Sequence, residues 1–165
     1  MNKTADSPFF SVSLSKLMIM SACTLTLYQY YWFYKNWCII KRRENSRIMP
    51  GWRTTFVLIF CYSLFKKISA EAQTRGIEMP VPPILLAIGW AILSLLSGLE
   101  APYSLLGLCS GLVLLPLQSA ANKINLADNP QYIPNNRYSI WNIIAILLGG
   151  IVLILAIIGY LMPAA

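Results

Sequence analysis

Long uncharged runs alternate along this chain with short basic loops. Residues 17–34, 81–99, 101–121 and 138–162 hold no Asp, Glu, Lys or Arg. A helix rises roughly 1.5 Å per residue, so runs of about 18 residues or more are long enough to cross about 30 Å of hydrocarbon. The pattern predicts an all-α, polytopic helical membrane bundle in a single domain over 1–165, with four spanning helices and a polar N-terminal tail over 1–16. A fifth apolar stretch, 54–65, is hydrophobic nearly all round, yet only 12 residues separate Arg53 from Lys66. That is short for a span, and two placements are open. If the stretch is re-entrant or interfacial, eleven of the thirteen basic residues share one side and only Lys3 and Lys16 lie opposite. If it spans, the tally becomes six against seven. The positive-inside rule favours the first arrangement, with the basic loops cytoplasmic and both termini outside.

Local signals mark the ends of these elements. Tyr28, Tyr30, Tyr31, Trp32, Phe33, Tyr34 and Trp37 crowd the end of the first run, as expected of amphipathic rings at head-group level. Pro80, Pro82 and Pro83 open the third element, where a missing N–H costs least. Glu100, Ala101, Pro102 and Tyr103 leave room only for a tight antiparallel hairpin, and Pro116 should kink the helix that follows. The first run lacks a small-x-small cleavage site, so it reads as a retained helix and not a signal peptide.

Composition agrees with lipid as the solvent. The chain is 57% hydrophobic and 12% charged, too apolar to hide in one water-soluble core. A net charge of +7 would point to nucleic acid in a soluble protein, but here the cations sit between apolar runs, so anionic phospholipid is the expected partner and nucleic acid is not. Four isolated cysteines form no C-x-x-C pair, and histidine is absent. Without histidine, a general base or neutral metal ligand must come from elsewhere. No carboxylate or cysteine cluster has ligand spacing, and Ser104 and Ser110, beside the glycines at 107 and 111, have no lysine within a few turns in sequence. The chain therefore reads as non-catalytic, without metal or cofactor.

Two constellations stand out. A basic and aromatic collar comprises Trp32, Tyr34, Lys35, Trp37, Lys41, Arg42, Arg43, Trp52 and Arg53, a composition that recruits acidic lipid beside a membrane or simply anchors and orients the chain. A polar ladder places Gln118, Asn122 and Asn125 at i, i+4 and i+7 on one helical face, with Asn142 available from the last helix. These amides either line a small polar pocket or fix the bundle through interhelical hydrogen bonds. Gly107 and Gly111, spaced G-x-x-x-G, permit close helix packing inside the bundle or in a homodimer.

At Tyr31-Trp32-Phe33-Tyr34-Lys35-Asn36-Trp37, Ile48-x-Pro50-x-Trp52-Arg53, Phe60 to Phe65 and Pro116-x-Gln118-x-x-x-Asn122-x-x-Asn125, the chain resembles a group of small bacterial inner-membrane proteins of unknown function. The likeness runs from about Phe9 to the final helix. It implies a multi-pass protein of a bacterial inner membrane and supplies no catalytic residue. The chain departs from the pattern at Thr26, where the resemblance leads to glycine. Together these features lead to a non-catalytic membrane protein that binds anionic lipid, or a larger membrane partner, through its cytoplasmic collar. The alternative is a transporter or channel accessory with a path lined by the four amides.

Overall fold

The uncharged run 17–34 does not form one helix. In the computed structural model, which describes residues 7–100 and 103–161, α1 (Leu14–Cys23) ends before a tight turn and α2 (Leu27–Arg43) starts after it. Two hydrogen bonds close the end of α1, from Thr26 N to Ser21 O at 2.8 Å and from Leu25 N to Ala22 O at 3.2 Å. This pair is the signature of a Schellman stop. Thr24 Oγ1 donates to Met20 O and accepts from Tyr28 N, stitching the end of one helix to the start of the next. Leu25 and Thr26 both hold positive φ, at 50° and 72°. The chain then doubles back: Asn36 Oδ1 accepts from Phe10 N, and Tyr31 packs edge-on against Phe10. The expected first span is thus a helical hairpin.

The expected 54–65 element is divided as well. It falls across α3 (Pro50–Thr55) and α4 (Val57–Thr74), and α4 continues through Lys66 and Lys67 well past the apolar stretch. The short helix α3 lies back along α2, with the Arg53 guanidinium 4.3 Å from the centre of the Trp37 ring. The next helix, α4, runs in the direction of α2, with Phe65 stacked on Phe33. Its charged end meets the ends of two other helices. Arg43 pairs with Glu71, Lys67 with Glu44, and Arg75 with Asp128 at the end of α7.

The remaining helices are α5 (Pro83–Leu96), α6 (Tyr103–Leu106), a 3-10 turn at Gly107–Cys109, α7 (Ser110–Asp128) and α8 (Ile140–Leu161). Pro83 opens α5 as expected, and Pro116 lies inside α7. A 3-10 turn at Gly107–Cys109 also interrupts that third stretch. Among the described residues, two helical stretches, Tyr103–Asp128 and Ile140–Leu161, are long and apolar enough to cross a membrane, in place of the four expected. The other two fall short for a physical reason: α1 has 10 residues and α5 has 14. Lys3, the turn residues 101–102 and position 162 lie outside the described residues.

The core gathers large rings from neighbouring helices. Trp32, Phe33 and Trp37 of α2, Phe65 of α4 and Trp90 of α5 are fully buried together with Leu114 and Leu117 of α7. Phe33 sits at its centre, touching Trp32, Phe65 and Trp90 within 5.7 Å between ring centroids. Burying one such side chain contributes about 1.5–3 kcal/mol. By contrast, none of the 22 residues of α8 is buried, although it packs along α1. Gly149 makes that contact close, since its missing Cβ would fall on the Cys23 carbonyl oxygen.

Candidate functional site

The three amides of the ladder converge on a piece of chain that has no secondary structure. Residues 9–13 enter the bundle extended, with Phe9 and Val12 fully buried. Buried backbone groups need partners, and neither a helix nor a sheet supplies them here. Side chains do so instead. Asn125 donates to Phe9 O and accepts from Phe9 N, Gln118 donates to Phe10 O and Val12 O, and Asn122 donates to Val12 O. Gln118 also accepts from the Trp32 indole and donates to Asn122 Oδ1. Ser11 and Ser13 tie the other edge of the segment to the loop before α8 through Asn135 and Asn136. Gln118 and Asn125 are therefore enclosed by backbone and do not face a passage. Asn142 is not part of this group. It lies on α8 beside a cavity between α8 and the α1–α2 hairpin.

A second buried polar cluster went unnoticed in the sequence. Gln29, which is 1% exposed, accepts from the Trp90 indole at 2.8 Å and exchanges hydrogen bonds with Ser110 of α7. It joins three helices through one amide. The only sequence hint was a lone polar residue between aromatic positions.

The collar separates into inner and outer members. Trp32 and Trp37 are core residues with no exposure. Tyr34 is exposed and Lys35 half-buried over the Tyr31 ring. Arg53 is held between the rings of Trp37 and Phe60, a cation–π contact worth about 0.5–2 kcal/mol. Arg43 forks onto Glu71, whose other neighbour is Arg75. Arg75 donates to both oxygens of Asp128, and this hydrogen bonding raises its guanidinium above its ordinary pKa. Lys41 and Arg42 are exposed, as is Arg47, and none has a carboxylate partner among the described residues. Trp52 stacks on Phe56 with 57% of its surface open. The outer members of the collar are therefore Tyr34, Lys35, Lys41, Arg42 and Trp52, and Arg47 and Phe56, outside the collar, are exposed as well.

Gly107 and Gly111 are used inside the chain. A Cβ at Gly107 would collide with Ser97 of the preceding helix, and one at Gly111 would stand 3.2 Å from Ser21 Cβ in α1. Both glycines thus serve close packing within the chain, the first of the two uses their spacing permits. Among the described residues, no group of acidic or cysteine side chains is placed to hold a metal ion. Comparisons with protein-family models, curated proteins and solved structures found no match to this chain.

Proposed function

We propose that the chain is a non-catalytic integral membrane protein whose basic end binds anionic phospholipid head groups, with Lys41, Arg42 and Arg47 as the attracting cations and Trp52 and Phe56 as interfacial anchors. One observation supports this reading above the others: the surface divides into an uncovered apolar helix and an unpaired basic patch. None of the 22 residues of α8 is buried, and beyond Asn142 near its start the helix carries no charged or amide side chain, a surface that lipid tails cover at no cost in exposed hydrocarbon. Three of the exposed cations without a carboxylate among the described residues, Lys41, Arg42 and Arg47, follow one another closely at and just after the end of α2, before a helix short enough to lie in the interface. In this placement α7 and α8 cross the bilayer with α5 completing a hairpin, and α1–α2 enters and returns. The resemblance of the aromatic motif makes a bacterial inner membrane the proposed location.

Each cation near an acidic surface contributes about 1 kcal/mol, or roughly fivefold in affinity. The combined change Lys41→Gln, Arg42→Gln, Arg47→Gln should therefore weaken binding of the detergent-solubilised chain to immobilised phosphatidylglycerol by about a hundredfold. Binding to phosphatidylcholine should not change. Arg43→Gln should act differently, loosening the fold through the loss of one of Glu71's two partners and of the tie between α2 and α4. Unaltered phosphatidylglycerol binding in the triple variant would remove the lipid-collar proposal.

A further inference from the structure

Between the α1–α2 hairpin and α8 lies a cavity of about 780 Å³, within the range of about 300–1,000 Å³ usual for small-molecule sites. Its two ends differ in chemistry. At one end Lys16 and Arg137 face it together with Asn135, Ser139 and Asn142. Moving along α1 and α8, the wall becomes apolar, through Met20, Leu27, Ala145 and Leu148, until the hairpin turn meets Gly149. From Lys16 to Thr24 the helix rises about 12 Å.

Lys16 is the unusual residue. It is 3% exposed, and its ammonium donates to the Arg137 carbonyl at 2.6 Å and sits 5.5 Å from the Tyr138 ring centre. An ammonium carries three donors, and among the described residues Lys16 uses one of them. No carboxylate pairs with either Lys16 or Arg137 among the described residues. A buried cation is costly unless a counter-charge accompanies it. Two cations at the mouth and hydrocarbon beyond them match an amphiphile with an anionic head.

We infer that this cavity binds one anionic phospholipid, its phosphate between Lys16 and Arg137 and one acyl chain lying along Met20, Leu27 and Leu148 toward the hairpin turn. The inference rests on the membrane placement proposed above but uses residues distinct from the outer collar. The site opens sideways, along α8, so a lipid enters it from the surrounding leaflet without crossing the bundle. The lipid completes the contact between hairpin and α8 by filling the space that protein atoms leave.

The test is native mass spectrometry of the full chain released from nanodiscs containing equal phosphatidylglycerol and phosphatidylcholine. One phosphatidylglycerol per chain should survive. Arg137→Gln, at an exposed position, should weaken its retention about fivefold. Leu148→Trp, at another exposed position, should fill the apolar end and remove the bound lipid while the chain stays folded. The triple collar variant should keep the cavity lipid even as it loses binding to immobilised phosphatidylglycerol, so the two proposals fail separately. Equal retention of phosphatidylcholine, full retention in Leu148→Trp, or displacement of the phospholipid by added free fatty acid alone would each overturn the assignment.

Discussion

At the level of single residues, the turn at Leu25 and Thr26 carries backbone strain that the sequence conceals. A left-handed conformation costs a residue other than glycine about 1–2 kcal/mol, and a β-branched side chain there is a genuine outlier. Thr26 makes no capping hydrogen bond with its side chain, so nothing local offsets that cost. Thr26→Gly should relieve the strain, while the added freedom of the unfolded chain takes back about 0.5–1 kcal/mol. The expected net gain is up to about 1 kcal/mol, seen as a higher midpoint in thermal unfolding of the detergent-solubilised protein. A lower midpoint would show that the threonine side chain contributes something the turn geometry does not reveal. The amides present the opposite case. Gln118 satisfies two carbonyls and an indole, and leaving such groups buried without partners costs about 1–3 kcal/mol each, which accounts for its position at the centre of the bundle.

At the level of helices, the sequence showed apolarity well and continuity badly. The runs at 101–121 and 138–162 correspond to helical stretches of full spanning length, and the proline-opened element at 83 starts where its residues indicate. The run 17–34 misleads because its turn uses Thr24, Leu25 and Thr26 in place of glycine or proline, and hydropathy registers no break there. The 54–65 stretch misleads differently, since α4 continues into charged residues that find partners on neighbouring helices. The amide ladder was legible as one helical face, but its target was not, because an extended segment more than a hundred residues away has no periodicity that pairs with it. Labelling separates a hairpin from a single span. With Cys23, Cys38, Cys61 and Cys109 first replaced, Ser13→Cys and Lys41→Cys should react with a membrane-impermeant thiol reagent from the same side. Reaction from opposite sides would restore the single helix and remove the hairpin.

For the whole molecule, the hairpin changes how charge would be distributed across a bilayer in the placement proposed above. A single span over 17–34 would leave Lys16 opposite the basic loops. The hairpin returns it to them: Lys16 bonds the Arg137 carbonyl, and Phe9, five residues before the start of α1, lies under the Arg43 guanidinium. The ends of α2, α4 and α7 are already joined there by Arg43, Glu71, Arg75 and Asp128. These pairs retain about a quarter to two-fifths of their surface in contact with solvent, so each contributes modestly and their shared place matters more than their strength. In that placement such sorting requires an element that leaves this side, and α8 is the longest unbroken helix. Twenty-two residues rise about 33 Å, enough for the full hydrocarbon thickness, and the half beyond Gly149 extends past the hairpin turn. Tyr160→Cys should therefore be labelled only from the side opposite to Arg137→Cys in sealed vesicles of defined orientation, and Lys41→Cys should follow Arg137→Cys. If Tyr160→Cys and Arg137→Cys react from one side, α8 lies along the membrane, the sideways-opening cavity loses its lipid wall, and the sorting of cations no longer reports a crossing.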